Sequence, residues 1–246
     1  MTISIIERLA QARRSRNRIG PEGAPTQLAE AYSTSAKVMT ALGESIGGWK
    51  VTHAPQTNSP AAAPMYASGF MASGARFPLQ HGQPVIPEVE IAVRLGRDLP
   101  KRPGVPYTRE EILDATSEMV LGIELIEGRI PPKDASFALN LADDLGNVGY
   151  VLGPVAKDFR GFDLANLHCR FWMDGELTND RRGGHSKVDP LVPLVDWANG
   201  QHDQLAGMKA GQIVTLGSLT PMIAVERPMM LVAELESFGR ISVEIV

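Results

Sequence analysis

The chain has 246 residues, 43% hydrophobic and 21% charged, which is enough apolar material for a full core of one large domain. A net charge of −4 and a pI near 5.8 exclude the concentrated positive face that grips a phosphate backbone, so nucleic acid is not expected as a partner. The single Cys169 excludes a disulfide framework and a cysteine-based zinc site, and no apolar run is long enough to cross a bilayer, so a cytoplasmic chain with no membrane partner is expected.

In chain order, Ile5, Ile6, Leu9 and Ala12 recur at helical spacing within residues 3–16, and Leu28, Tyr32, Ala36, Met39 and Leu42 do so within 26–44. Gly20-Pro21-Glu-Gly-Ala-Pro25 separates these two helices. Arg13, Arg14, Arg16 and Arg18 fall where the first helix frays, and they read as a solvated helix end. After Gly47-Gly48 the pattern changes to short β-branched runs: 49–52, 88–95, 119–126, 148–152, 169–173, 212–216, 229–234 and 240–246. Asp174-Gly175 predicts a hairpin turn. Thr108-Arg-Glu-Glu111 has the spacing of a capping box, and Asp189-Pro190 opens a further helix carrying Leu191, Leu194, Val195 and Ala198. Residues 1–46 form a small helical part and residues 47–246 the core of an α+β chain dominated by strands.

Within the strand predicted over 88–95, Glu88 and Glu90 alternate with Val89 and Ile91, so both carboxylates leave one face. Either they lie on the solvated face of an edge strand, or they are buried and need a cation to remain charged together. Glu124 interrupts a second apolar strand, where a carboxylate is costly unless it is paired or metal-bound. Three such carboxylates predict an all-oxygen site for a hard divalent ion, Mg²⁺ or Mn²⁺. Glu127 reads as exposed or paired with Arg129. Lys50 either binds a substrate carboxylate and moves protons near the metal, or snorkels from a strand end. His53, His81, His168, His185 and His202 show no metal-ligand spacing. Nothing matches a Walker loop, a G-x-G-x-x-G turn or an H-E-x-x-H helix, and a serine triad is not expected.

Taken in order, Gly48-Trp-Lys-Val51, the run from Pro87 to Pro100, Gly122-Ile-Glu-Leu-Ile-Glu-Gly-Arg129, Gly149-Tyr-Val-Leu-Gly153, Leu205 to Val214 and Gly217 to Met222 resemble one family. It is the 2-keto-4-pentenoate hydratase and 4-oxalocrotonate decarboxylase group of the fumarylacetoacetate hydrolase superfamily. The resemblance implies a rolled mixed β-sheet with an N-terminal helical part, a homo-oligomer, Mg²⁺ or Mn²⁺ on Glu88, Glu90 and Glu124, and an active-site lysine at Lys50. It also implies a small 2-oxo acid substrate, with Lys50, Thr215 and Ser218 as substrate-binding residues and Asp143 as a candidate proton carrier. The chain departs from the family pattern at Asp143-Asp144-Leu-Gly-Asn-Val148, at Met65-Tyr66-Ala67, where the family carries an acid, and at Leu216-Gly217 in place of Thr-Gly. The implied reaction is hydration of a 2-hydroxydienoate to a 4-hydroxy-2-oxo acid, with decarboxylation of a 2-oxo diacid, or a non-catalytic relative that binds metal and 2-oxo acid, as alternatives. A C–C hydrolase lacks an evident His–Glu pair, His53 being the one isolated candidate.

Overall fold

The computed structural model describes residues 3–203, 205 and 207–246. Two helices, α1 (Ile5–Ser15) and α2 (Leu28–Leu42), precede the strands β1 (Ile46–His53), β2 (Pro60–Tyr66), β3 (Phe70–Ala72), β4 (Ala75–Phe77) and β5 (Ile86–Leu95). Then come α3 (Arg109–Ala115), β6 (Thr116–Ile126), α4 (Phe137–Ala142), β7 (Asn147–Ala156), β8 (His168–Met173), β9 (Glu176–Arg182), α5 (Val192–Gly200), β10 (Ile213–Ser218), β11 (Met229–Leu235) and β12 (Gly239–Ile245). Among the described residues no helix is long and apolar enough to cross a membrane.

The elements end where local chemistry dictates. Thr108 and Glu111 close the expected capping box at α3, each side chain satisfying the other's backbone N–H. Ser4 and Glu7 make a second box at α1. Asp174 (φ 49°) and Gly175 (φ 82°) are both left-handed, the requirement of a two-residue type I′ turn, and they join β8 to β9. Every expected strand forms. Four more form: β9 is the second arm of the Asp174-Gly175 hairpin, and β2, β3 and β4 carry no β-branched alternation; β2 is Pro-Ala-Ala-Ala-Pro-Met-Tyr and is an edge strand, where the two prolines cost no ladder bond to a second neighbour.

The strands make two sheets. The larger has the order β2-β1-β10-β5-β6-β7-β3 and mixes parallel with antiparallel pairs; the smaller has the order β4-β12-β11-β8-β9. The fold is the expected α+β type, a curled mixed sheet with N-terminal helices. One apolar cluster joins Leu9 of α1 and Val38 of α2 to Trp49, Val89, Ile91, Val93, Leu121, Ile123 and Leu125 of the large sheet and Leu231 and Val243 of the small one. The alternation therefore sends one face of β5 and β6 into the main core. It leaves Glu88, Glu90, Val120, Gly122 and Glu124 on the other.

Candidate metal centre

Centring β5 between β10 and β6 rules out the edge-strand reading of Glu88 and Glu90. Glu88 lies directly opposite Glu124 in the β5–β6 ladder, and Glu90 lies opposite Gly122. One oxygen from each of Glu88, Glu90 and Glu124 falls within 4.8 Å of the others. Glu90 and Glu124 are fully buried; Glu88 keeps 12% of its side-chain exposure and Lys50 13%, which marks the open side. Lys50 reaches from β1 across β10 to place Nζ 2.9 Å from Glu124 Oε2 and 3.2 Å from Glu88 Oε2.

Three carboxylates and one ammonium leave this face two negative charges in excess. Among the described residues neither oxygen of Glu90 has a hydrogen-bond partner, and burial, then Glu124 and Glu88, push its pKa well above the usual carboxylate range despite Lys50. Burial likewise raises Glu124, opposed by Lys50 and by Asn147. Burial alone would lower Lys50, but Glu124, Glu88 and Glu90 together raise it, so the ammonium stays charged. Unpartnered hard oxygens with a net charge of −2 are the donor set that a divalent cation such as Mg²⁺ or Mn²⁺ satisfies.

The surroundings refine each expected role. Thr215 sits in the ladder between Lys50 and Ala92, fully buried, its hydroxyl unpartnered on the carboxylate face. A bulge after Thr215, with Gly217 at φ 105°, brings Ser218 opposite Glu90. The Ser218 hydroxyl is engaged within its own turn, donating to Thr220 O (2.9 Å) and accepting from Thr220 N (3.2 Å). Sequence reasoning missed His185, which holds this bulge: its Nε2 bonds Leu216 O at 2.8 Å while Nδ1 accepts from Lys187 N. Burial lowers the His185 pKa, so the ring is neutral. His53 is three residues from Lys50 and pairs with Asp196 of α5 (2.8 Å).

Asp143 is buried and bound to Arg129, whose Nε lies 2.7 Å from Oδ1 and whose backbone N–H donates to Oδ2. Arg129 also donates to Asn147 O, and Asn147 Nδ2 donates to Glu124 Oε1 at 2.9 Å. The altered loop thus supports the back of a candidate ligand. Two readings are corrected. Arg13 and Arg16 are not a solvated helix end: Arg13 pairs with buried Asp144 at 2.6 Å and covers the Tyr66 ring, and Arg16 pairs with Glu127. Glu127 is buried and held by Arg16, neither exposed nor paired with Arg129. Only Arg14 and Arg18 of that run are exposed. Met65 joins Ala92, Val120, Tyr150 and Ile213 in a small apolar cluster on the carboxylate face. Gly43-Glu-Ser-Ile-Gly47 spells a serine elbow but runs from α2 into β1, the reverse of the strand-to-helix turn that exposes such a serine.

No family model matches the chain. It is 28% identical over 251 residues, 97% of this chain and 95% of the relative, to the 2-keto-4-pentenoate hydratase of Paraburkholderia phymatum. The chain is thus similar, along nearly its whole length, to a 2-keto-4-pentenoate hydratase. Its fold matches 4-oxalocrotonate decarboxylase from Pseudomonas putida G7, complexed with magnesium and adipate, with a TM-score of 0.84 and 18% identity over 98% of this chain and 95% of that one. Fumarylpyruvate hydrolase from Pseudomonas aeruginosa, in complex with Mn²⁺ and pyruvate, is a more distant fold relative, with a TM-score of 0.57 and 15% identity over 80% and 88% of the two chains. The carboxylate face of β5 and β6 is the candidate active site.

Proposed function

We propose that the chain is a metal-dependent hydro-lyase that adds water to a 2-hydroxydienoate or 2-oxo-enoate and yields a 4-hydroxy-2-oxo acid. The observation that carries this reading is the buried triad Glu88, Glu90 and Glu124, with unpartnered oxygens and Lys50 against it, in a chain aligned over nearly its full length with a hydratase. Glu88, Glu90 and Glu124 hold Mg²⁺ or Mn²⁺, which supplies Lewis-acid stabilisation of negative charge on a 2-oxo acid.

Lys50 supplies the fixed positive charge on the open side and orients the substrate carboxylate. Its ammonium lies within hydrogen-bond distance of Glu124 and Glu88, so we read it as a binding and electrostatic group beside the cation. Thr215 offers its free hydroxyl to the same ligand. Ser218 contributes through the turn it closes with Thr220, because its hydroxyl is already engaged. Asp143 acts through Arg129 and Asn147 on Glu124, as a positioning residue. Met65 and the other apolar residues on this face exclude bulk water. We read the protein as a cytoplasmic homo-oligomer.

Incubation of the Mn²⁺-loaded protein with 2-hydroxypenta-2,4-dienoate, followed by NMR of the product, tests this. A 4-hydroxy-2-oxo acid is expected. Release of CO₂ from a 2-oxo-3-enedioate without hydration would assign decarboxylation instead, and binding of pyruvate with no turnover of either substrate would make the chain a non-catalytic relative.

A further inference from the structure

Tyr150 occupies β7 directly opposite Glu124, in the middle of the large sheet. Its ring is fully buried, with Phe70 against it at 5.9 Å between centroids and Met65, Val120 and Leu152 in the same cluster. The hydroxyl reaches past Glu124 to lie over Gly122: a Cβ built on Gly122 would come 2.1 Å from Oη. Gly122 is itself paired with Glu90 and lies two residues before Glu124 on the same face. The phenol is therefore aimed between two of the three triad carboxylates, and any side chain at position 122 would displace it.

Among the described residues this hydroxyl has no hydrogen-bond partner, nor has either oxygen of Glu90 or the hydroxyl of Thr215. A buried donor without an acceptor costs a protein stability and is rarely retained without a use. A divalent cation satisfies the carboxylate oxygens but offers nothing to a phenolic hydrogen. An oxygen atom arriving with a second ligand does. We infer that Tyr150 is a substrate-binding residue, its hydroxyl donating to an oxygen of the 2-oxo acid held at the triad. The inference rests on reading the triad as a cation site.

The test is calorimetry on wild-type protein, Tyr150→Phe and Gly122→Ala, first with Mn²⁺ and then with oxalate added to the Mn²⁺-loaded forms. Tyr150→Phe removes one oxygen and leaves the packed ring, so Mn²⁺ affinity should stay within about twofold of wild type. Oxalate should bind about 10- to 100-fold more weakly, the scale of one hydrogen bond to a charged group. Gly122→Ala keeps the hydroxyl but drives it from its place, and should give the same selective loss. Wild-type oxalate affinity in Tyr150→Phe overturns the inference. So does a loss of Mn²⁺ affinity with oxalate binding unchanged, which would make the hydroxyl a partner of Glu90. Failure of the wild-type protein to bind Mn²⁺ is a separate outcome: it removes the triad reading and this inference with it.

Discussion

Glu90→Gln separates the electrostatics of the carboxylate face from its packing. Glu90 is fully buried, has no hydrogen-bond partner, and carries a pKa raised by burial and by Glu124 and Glu88. Glutamine has the same shape without the charge. Without metal, the variant should unfold at the wild-type temperature or a few degrees above it, because relief of charge repulsion offsets an unpaired amide worth roughly 1–3 kcal/mol. A group whose folded pKa is raised binds more protons in the native state. Its contribution to stability is thus complete below its unfolded pKa of about 4.3 and disappears as pH rises through the folded value. The metal-free wild type should lose stability from Glu90 over that rise, and the variant should not. With metal the order reverses: Mn²⁺ at about 100 times its Kd stabilises by about 2.7 kcal/mol. That is about 5–11 °C in a chain of this length. Glu90→Gln should lose most of this gain. Thermal melts followed by circular dichroism in EDTA and in Mn²⁺, at several pH values, give all four numbers. A metal-free variant destabilised by more than about 3 °C, or one with the full Mn²⁺-dependent gain, would refute the reasoning.

Asn147→Ala removes the donor behind Glu124 and should weaken Mn²⁺ binding by about 10- to 100-fold, measured by calorimetry, with a smaller effect on the metal-free melting temperature. Lys50→Met should bind Mn²⁺ at least as tightly as wild type, because a competing cation is gone, yet bind pyruvate or oxalate weakly and show no turnover; equal oxalate affinity would remove Lys50 from the substrate site. His185 is neutral because burial lowers its pKa, so its stabilisation is present above the unfolded value of about 6.5 and is lost as pH falls from there through the folded value. Denaturant titrations of His185→Gln, which keeps an N–H for Leu216, should show a flatter stability profile between about pH 7.5 and 5 than wild type; an unchanged profile would place the titration elsewhere.

The alternation of Glu88 and Glu90 with Val89 and Ile91, the isolated Glu124, the capping box at Thr108 and the Asp174-Gly175 turn were all legible, because each is decided within a few residues by the period of a strand or the chemistry of a turn. Burial of Arg13, Arg16 and Glu127 was not. Arg16 and Glu127 are 111 positions apart, and a charged helix end looks solvated until its partner is placed. Tyr150 gave no signal either, since a tyrosine in an apolar strand is ordinary core until Gly122 opposite Glu90 turns its hydroxyl into an unpartnered donor.

Local periodicity and the order of short motifs determined most of the strands, and which face of β5 and β6 bears the three carboxylates. Tertiary structure alone decided which charges are already spent. Asp143 is committed to Arg129 and Ser218 to Thr220, while Glu90, Thr215 and Tyr150 are left unsatisfied among the described residues. The reason is physical: a strand's period fixes the direction of a side chain, but the state of a buried polar atom depends on partners brought from distant parts of the chain.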